Sequence, residues 1–284
     1  MHKESAVAVA MILGMTGLGP ASAFAQQTEE LPWYEQRHGE LRVGGFFITS
    51  TDTHLLLEST TNPLAATVNF QRELGLDERV TVGRLRFSYQ FTPRHRFDLS
   101  YFDIQRDGQK IIFEKEIEFG DITIPVGATV NSHFDTEILK LAYTNMFYRS
   151  EKVRLGASAG LNFSSFDLGA AFETMPPGGQ PPVTGEEQAD GVAPLPVVGG
   201  RLSYSISPKW IVITSLDVFA ISSGDYSGTL TDIELLIENR VSSRFGWGAG
   251  IELMSFNVNA ADDELVGTFQ TSYRGINLYA SVYF

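Results

Sequence analysis

The sequence contains no cysteine. Small exported domains with little core are usually held together by disulfides, and thiolates serve as nucleophiles and metal ligands. Both a disulfide-stapled fold and thiol chemistry are therefore excluded for this chain of 284 residues.

Long apolar runs are also scarce. Beyond the N-terminal region, the nearest candidate extends from Trp210 to Ile221 and is interrupted by Asp217. A membrane-spanning helix needs about 20 predominantly apolar residues. The sequence therefore excludes a helical inner-membrane protein.

Basic residues are few compared with acidic ones. Lys and Arg number 21 against 34 Asp and Glu, which gives a net charge of −13. Nucleic-acid binding requires a basic surface, so no nucleic-acid partner is expected. We also expect no cofactor and no bound metal, since the acidic loop residues lack the spacing of a calcium-binding loop.

The N-terminus has the pattern of a secretory signal. A weakly basic start is followed by apolar residues 6–18, and Ala23-Phe24-Ala25 offers the small residues that a signal peptidase requires. The apolar stretch is too short for a membrane anchor, the alternative interpretation. We expect residues 1–25 to be a cleaved signal peptide and residues 26–284 to form one domain.

The C-terminus favours a membrane barrel over a soluble exported protein. Apolar residues fall on every second position from Ile276 to Phe284, a period that gives a strand one lipid-facing side. A terminal Phe284 on such a strand resembles the signal that the outer-membrane barrel assembly machinery recognises. The sequence therefore predicts a protein of the cell outer membrane.

Alternating segments recur along the chain and are joined by tight turns and longer polar links in alternation, as in outer-membrane barrels. The tight turns lie at 92–95, 148–151, 207–209 and 241–244, and the links lie at 106–130, 170–193, 222–227 and 258–264. The link at 170–193 is rich in proline and glycine and is predicted to lie outside the wall.

The fold class predicted is all-β, a closed antiparallel up-and-down barrel of about ten strands, with a range of eight to twelve. The expected strands are 41–50, 80–91, 95–106, 130–147, 152–169, 194–206, 209–221, 227–240, 244–257 and 266–284. Residues 51–79 form either a hairpin above the membrane or two more wall strands. The hairpin is preferred, because both segments are short for a membrane span.

Alternation also assigns the faces of the strands. The charged residues share one face, which must be the lumen because an unpaired charge facing lipid is costly. The predicted lumen-lining residues are Arg84, Arg86, Arg96, Asp98, Lys140, Arg154, Arg201, Asp217 and Glu252. They either fill a plugged interior or line a pore, and the plug is preferred because a small barrel leaves little room. Gly246, Gly248 and Gly250 fall on the same side, where they would relieve crowding.

One pair of residues could support hydrolysis. His133 and Asp135 share a strand face near the expected external rim, which suits an acid–base pair. Ten-stranded outer-membrane proteases use His and Asp at their rim. A polar rim pair without catalytic role is the simpler interpretation, because no third partner is evident.

Several segments resemble a family of uncharacterised Gram-negative outer-membrane barrels. They are residues 68–77, 91–101, 134–137, 141–143 and 155–161, which include Phe91-Thr92-Pro93-Arg94-His95 and Leu155-Gly156-Ala157-Ser158-Ala159-Gly160-Leu161. The resemblance covers most of the chain after residue 25. It implies the barrel fold and assigns neither an activity nor a catalytic residue.

The sequence thus favours a non-enzymatic outer-membrane barrel, either structural or a narrow channel for small polar solutes. An outer-membrane hydrolase with a rim site and a barrel that binds partners through its external loops are the alternatives. Outer-membrane lipid, lipopolysaccharide and the barrel assembly machinery are the expected partners. Fold analogy alone does not choose among these functions.

Overall fold

The computed structural model describes residues 38–59, 65–112, 116–119, 122–175, 181–223, 226–261 and 265–284. The predicted signal peptide over residues 1–25 lies outside them. No helix in this part of the chain is long and apolar enough to cross a membrane.

Ten long strands form a closed antiparallel ring, and each is hydrogen-bonded to its neighbours in chain order. Pairing of the first strand with the last closes the barrel, with Glu40 opposite Tyr283 and Ser59 opposite Leu265. The wall strands are β1 (Gly39–Ser59), β3 (Val80–Thr92), β4 (His95–Ile104), β8 (Thr129–Arg149), β9 (Val153–Thr174), β10 (Val183–Ser205), β11 (Trp210–Ser223), β12 (Tyr226–Arg240), β13 (Phe245–Ala261) and β14 (Leu265–Tyr283). The predicted fold class and strand number are confirmed.

Shorter elements lie beside the wall at one end of the barrel. They are β2 (Ala65–Asn69), α1 (Phe70–Glu73), β5 (Asp107–Ile111), β6 (Ile117–Phe119) and β7 (Ile122–Ile124). β2 pairs back onto β1, which confirms the preferred hairpin within residues 51–79. Asn69 caps α1 by accepting a hydrogen bond from the Arg72 amide, and the buried Phe70 directs this short helix into the core.

All four predicted links are too long, because strands extend into them, and the error is largest in two of them. Residues 170–174 and 183–193 belong to β9 and β10, which pair from Val183–Thr174 down to Tyr204–Val153. The proline and glycine cluster interrupts only the tip of this hairpin, so the flanking residues continue as strands. Residues 106–130 likewise contain β5, β6 and β7 rather than an unstructured link.

The barrel has two halves with opposite polarity. In the lower half, which holds Phe284 and the tight turns, apolar side chains face outward and charged ones inward. In the upper half the pattern reverses. On β9, for example, Ser165 and Asp167 lie on the outer face, whereas Phe166 and Leu168 pack into the core. The lower half is thus built for an apolar surrounding and the upper half for water.

Three glycines of β13 make room for side chains of neighbouring strands, as the sequence predicted. A Cβ at Gly248 would overlap the ring of Tyr279, and one at Gly246 would crowd the hydroxyl of Tyr283. A Cβ at Gly250 would meet the Leu235 carbonyl oxygen and the Leu236 Cα, which are backbone atoms that cannot turn away.

We expect Gly250→Ala to destabilise the barrel by about 1–3 kcal/mol, because overpacking forces the backbone to shift. Gly83→Ala is the matched control, since a Cβ there meets nothing within 4 Å and should change stability by less than about 0.5 kcal/mol. Urea unfolding in lipid vesicles measures both, and equal stabilities would show that Gly250 is not needed for packing.

Candidate functional site

A layer of charged side chains fills the interior of the lower half. We call it the ionic network, and its members are Glu40, Arg42, Arg84, Arg86, Arg96, Asp98, Lys140, Asp217, Asp232, Glu234, Glu238, Arg240 and Glu252. They come from β1, β3, β4, β8, β11, β12 and β13. The pleat of each strand directs these alternate residues inward, so closing the ring brings them together.

Glu238 connects the most groups within this network. Its Oε2 accepts hydrogen bonds from Arg42 Nη2 at 2.9 Å and Tyr279 Oη at 3.2 Å. Its Oε1 accepts from Tyr283 Oη at 2.6 Å and Arg240 Nε at 3.2 Å. Glu238 is 0% exposed, so its charge is balanced by these donors alone.

Two arginines of β3 bind carboxylates on the opposite side of the lumen. Arg86 makes a bidentate pair with Glu234, with Nη1–Oε2 2.8 Å and Nη2–Oε1 3.0 Å. Arg84 pairs with Glu252, which also accepts a hydrogen bond from Asn277 Nδ2 at 2.7 Å. These pairs cross the barrel, so they fill its width and link distant parts of the wall.

The remaining pairs close the network beside these arginines. Lys140 donates to both Asp217 and Asp232, the latter at 2.9 Å. Arg96 Nε donates to Asp98 Oδ1 at 2.9 Å, and its Nη2 lies 3.5 Å from Glu40 Oε2. Acidic and basic side chains therefore alternate through the ionic network, and they do not form a ring of like charges.

Two predicted lumen-lining residues, Arg201 and Arg154, lie at the margin of the ionic network. Arg201 lines a cavity of about 50 Å³ together with Arg86, Asp98 and Lys140, a space of a few water molecules. Arg154 lies at the lower end of β9, opposite Arg149 and Ser203 in register. The structure thus gathers the other predicted lumen residues into one network and leaves these two at its margin.

Apolar layers lie above the ionic network. The first contains Phe46, Ile48, Val82, Phe102, Ile104, Ile138, Met254 and Tyr273. The next is an aromatic cluster in which Phe166 is 5.0 Å from Phe256 and 6.2 Å from Phe134 between ring centroids. α1 and the β6–β7 hairpin contribute Phe70, Ile117 and Ile124 to the top of this core.

One charged residue lies inside the apolar half and was missed by sequence reasoning. Arg106 is 1% exposed, and its Nη atoms donate to Thr51 and Thr53 at 3.0 Å each. Its guanidinium also lies over the rings of Phe134 and Tyr273. Burial lowers the pKa of Arg106 because the charged form loses water. Alternation within the expected strand 95–106 puts Arg106 on the same face as Arg96 and Asp98, and this signal predicts its inward placement.

The proposed acid–base residues lie on the outer face of the upper half. His133 Nε2 is 3.3 Å from Asp167 Oδ1, and that oxygen also accepts a hydrogen bond from Gln188 at 2.9 Å. Asp135 lies opposite Asp167 in the β8–β9 register. The pair therefore faces away from the interior, and its catalytic role stays a prediction.

No described protein family and no curated protein matches the sequence. Among solved structures, the outer membrane protease OmpT from Escherichia coli matches with a TM-score of 0.52 at 8% identity, over 86% of this chain and 97% of OmpT. The chain has the fold of an outer-membrane β-barrel. At this identity the likeness concerns the fold alone.

Two other structures align over similar lengths with much lower scores. The Pseudomonas putida toluene transporter TodX covers 89% of this chain and 92% of its own at 10% identity, with a TM-score of 0.34. The attachment invasion locus protein Ail of Yersinia pestis covers 87% and 99% at 10% identity, with a TM-score of 0.29. These scores are too low to bear on function.

Proposed function

We propose that the protein is an integral, non-enzymatic outer-membrane barrel with a sealed interior, and that its role is structural rather than that of a channel. It is exported by a cleaved signal peptide, inserted by the barrel assembly machinery and surrounded by outer-membrane lipid and lipopolysaccharide. The observation that carries the sealed interior is the burial of the ionic network.

Burial distinguishes a plug from a pore lining. Water in a conducting lumen would wet the charged side chains that set ion preference. Here Glu238 and Glu252 are 0% and 1% exposed, and Arg42 is buried between two carboxylates. Because each is neutralised by a partner, these charges are held out of bulk water.

The outer surface of the lower half supports membrane insertion. Leu235 is 45% exposed, and its β12 neighbours Ile233 and Ile237 are similarly exposed. Corresponding residues on other strands, such as Leu278 and Ile251, extend this surface around the barrel. We call this surface the outer belt, and an apolar band of this kind is unfavourable in water and suited to lipid.

The C-terminal residue supports recognition by the assembly machinery. Phe284 exchanges backbone hydrogen bonds with Gly39 at 2.7 and 2.9 Å, which completes closure of the ring. Its side chain remains exposed at the lower end of the outer belt. Phe284 thus pairs through its backbone and still exposes its ring, which gives the assembly machinery an aromatic side chain to bind.

Conductance in a planar bilayer tests the sealed interior. We expect the refolded chain 26–284 to show no stable current steps, because ion pairs and apolar layers occupy the lumen. Heat-modifiable electrophoretic mobility would establish that the sample is a folded barrel. Reproducible unitary steps from such a sample would refute the structural role and favour the channel.

A further inference from the structure

The barrel wall is interrupted between β10 and β11. Their pairing extends from Ser205–Ile211 to Val198–Val218 and stops there. Above this level, described β10 residues pair with β9 and described β11 residues pair with β12. We call the interval between residues 194–197 and 219–222 the seam.

Two prolines account for the interruption. Backbone groups of a strand alternate between its two neighbours. The Ser205 amide donates towards β9, to Lys152, whereas the Ile206 amide donates towards β11, to Trp210. Even-numbered β10 residues therefore face β11, and Pro194 and Pro196 have no N–H to donate on that edge.

On the β11 side, even-numbered residues face the seam. Odd-numbered Lys209 directs its carbonyl to β12, where it accepts from Arg240. Continuing the register beyond Val198–Val218 would place Ala220 and Ser222 opposite Pro196 and Pro194. The carbonyls of Ala220 and Ser222 would therefore meet no N–H on β10, and the ladder ends below them.

The outer approach to the seam is apolar. On β10 the outward residues Val192, Pro194, Pro196 and Val198 continue the outer belt upward, and Val192 is 70% exposed. The outer face of the adjacent strand β9 is already polar at Ser165, which lies opposite Val192. The seam therefore opens where the outer belt ends, which is the level of lipid headgroups and upper acyl chains under the proposed membrane insertion.

The inner side of the seam is also apolar and partly open. Leu195, Val197 and Phe219 pack with Phe256 and Leu230 directly behind it. Ile221 lies on the inward face of β11 but is 52% exposed. A Cβ at Gly191 would meet nothing within 4 Å, so space exists beside the inner face of β10.

We propose that the seam binds an acyl chain of an outer-leaflet lipid, which enters between β10 and β11 and lies against Phe219 and Leu195. The polar end of the lipid stays at the surface, where the amides of Ala220 and Ser222 can donate to its ester or phosphate oxygens. This inference rests on the proposed membrane insertion, but not on whether the lumen conducts.

An added peptide strand fits this edge less well than a lipid. Strand addition depends on a continuous row of backbone donors and acceptors, and Pro194 and Pro196 remove consecutive donors from β10. An acyl chain needs no hydrogen bonds and gains about 0.8 kcal/mol for each CH₂ group buried. The apolar residues on both sides of the seam match that requirement.

Fluorescence quenching by brominated lipid tests the proposal. Trp33, Trp210 and Trp247 are replaced by Phe, and Phe219→Trp or Ile221→Trp introduces a single indole behind the seam. The protein is refolded into phosphatidylcholine vesicles with or without bromine on the acyl chains. We expect strong quenching of either indole, and weaker quenching when Pro194→Thr and Pro196→Thr restore the missing donors.

Two control proteins separate the possible failures. A variant that keeps Trp247 alone, on the outer belt, should be quenched in any membrane-inserted barrel. Phe46→Trp places an indole in the buried layer near β1 and should not be quenched. Quenching at Trp247 without quenching behind the seam overturns acyl-chain binding, and undiminished quenching in the threonine variant overturns the seam as the route. Absence of quenching at Trp247 would instead contradict membrane insertion.

Discussion

Glu238→Ala should lower the free energy of unfolding by about 3–5 kcal/mol, the cost of leaving buried charges without a partner. Glu238 accepts hydrogen bonds from two arginines and two tyrosine hydroxyls, and it is fully buried. Its removal takes away one of the two carboxylates paired with Arg42 and the Glu238 carboxylate paired with Arg240. Guanidinium unfolding in detergent micelles, followed by tryptophan fluorescence, measures the change.

A solvated glutamate provides the control for Glu238. Glu186 lies on the exposed part of the β9–β10 hairpin, and Glu186→Ala should change stability by less than about 0.5 kcal/mol. Glu238→Gln keeps the volume but loses the charge, and we expect a stability between those of the wild type and Glu238→Ala. A wild-type stability for Glu238→Ala would mean that water reaches the network and solvates its arginines.

Leu235→Lys should destabilise the barrel in lipid by about 2–4 kcal/mol, the cost of a cation facing the middle of a bilayer. Leu235 lies on the outer belt between Ile233 and Ile237, so its side chain cannot turn into the lumen. Unfolding in phospholipid vesicles measures the cost.

The same substitution higher on β12 should be tolerated. Thr229 is exposed on the same face of the strand but lies above the outer belt, opposite Asn257. Thr229→Lys should therefore change stability by less than about 1 kcal/mol, as expected near the interface. Equal costs at Leu235 and Thr229 would contradict the assigned position of the bilayer.

The strand number, the tight turns and the inward placement of the charges could be predicted from alternation alone. In a closed barrel, the pleat decides which residues face the lumen without any knowledge of strand partners. Arg84 and Arg86 alternate with Leu85 and Phe87, and the structure places the arginines inside. The ion-pair partners were not predictable, because Arg42 and Glu238 meet only when the register of every intervening strand is fixed.

The reversal of polarity in the upper half is visible in the sequence, although the predicted strand faces do not include it. Along β9 the inward positions change from Gly160 and Asn162 to Phe166 and Leu168, whereas the outward positions change from Leu161 to Asp167. Alternation continues, so a strand is still indicated, but its apolar side has switched. Such a switch marks the level at which the surroundings change from lipid to water.

Pro194 and Pro196 fall inside the expected strand 194–206, although proline is normally excluded from central strands. The structure places them where β10 pairs with β9 and no longer with β11. Because both prolines are on even positions, they remove donors from the β11 edge and leave the β9 ladder intact. Proline spacing thus carried information about the topology that local propensity could not give.

Labelling of single cysteines along β9 most directly tests whether the lumen is plugged and the lower half lies in the membrane. The chain has no native cysteine, so each introduced thiol is the only one that can react. With a water-soluble maleimide and protein in vesicles, we predict labelling at Ser165→Cys and Asp167→Cys on the outer face of the upper half. Leu161→Cys should be protected by lipid, and Asn162→Cys should be protected by the plugged interior. Labelling at Asn162→Cys would show a water-filled lumen, and labelling at Leu161→Cys would show that the outer belt does not lie in the membrane.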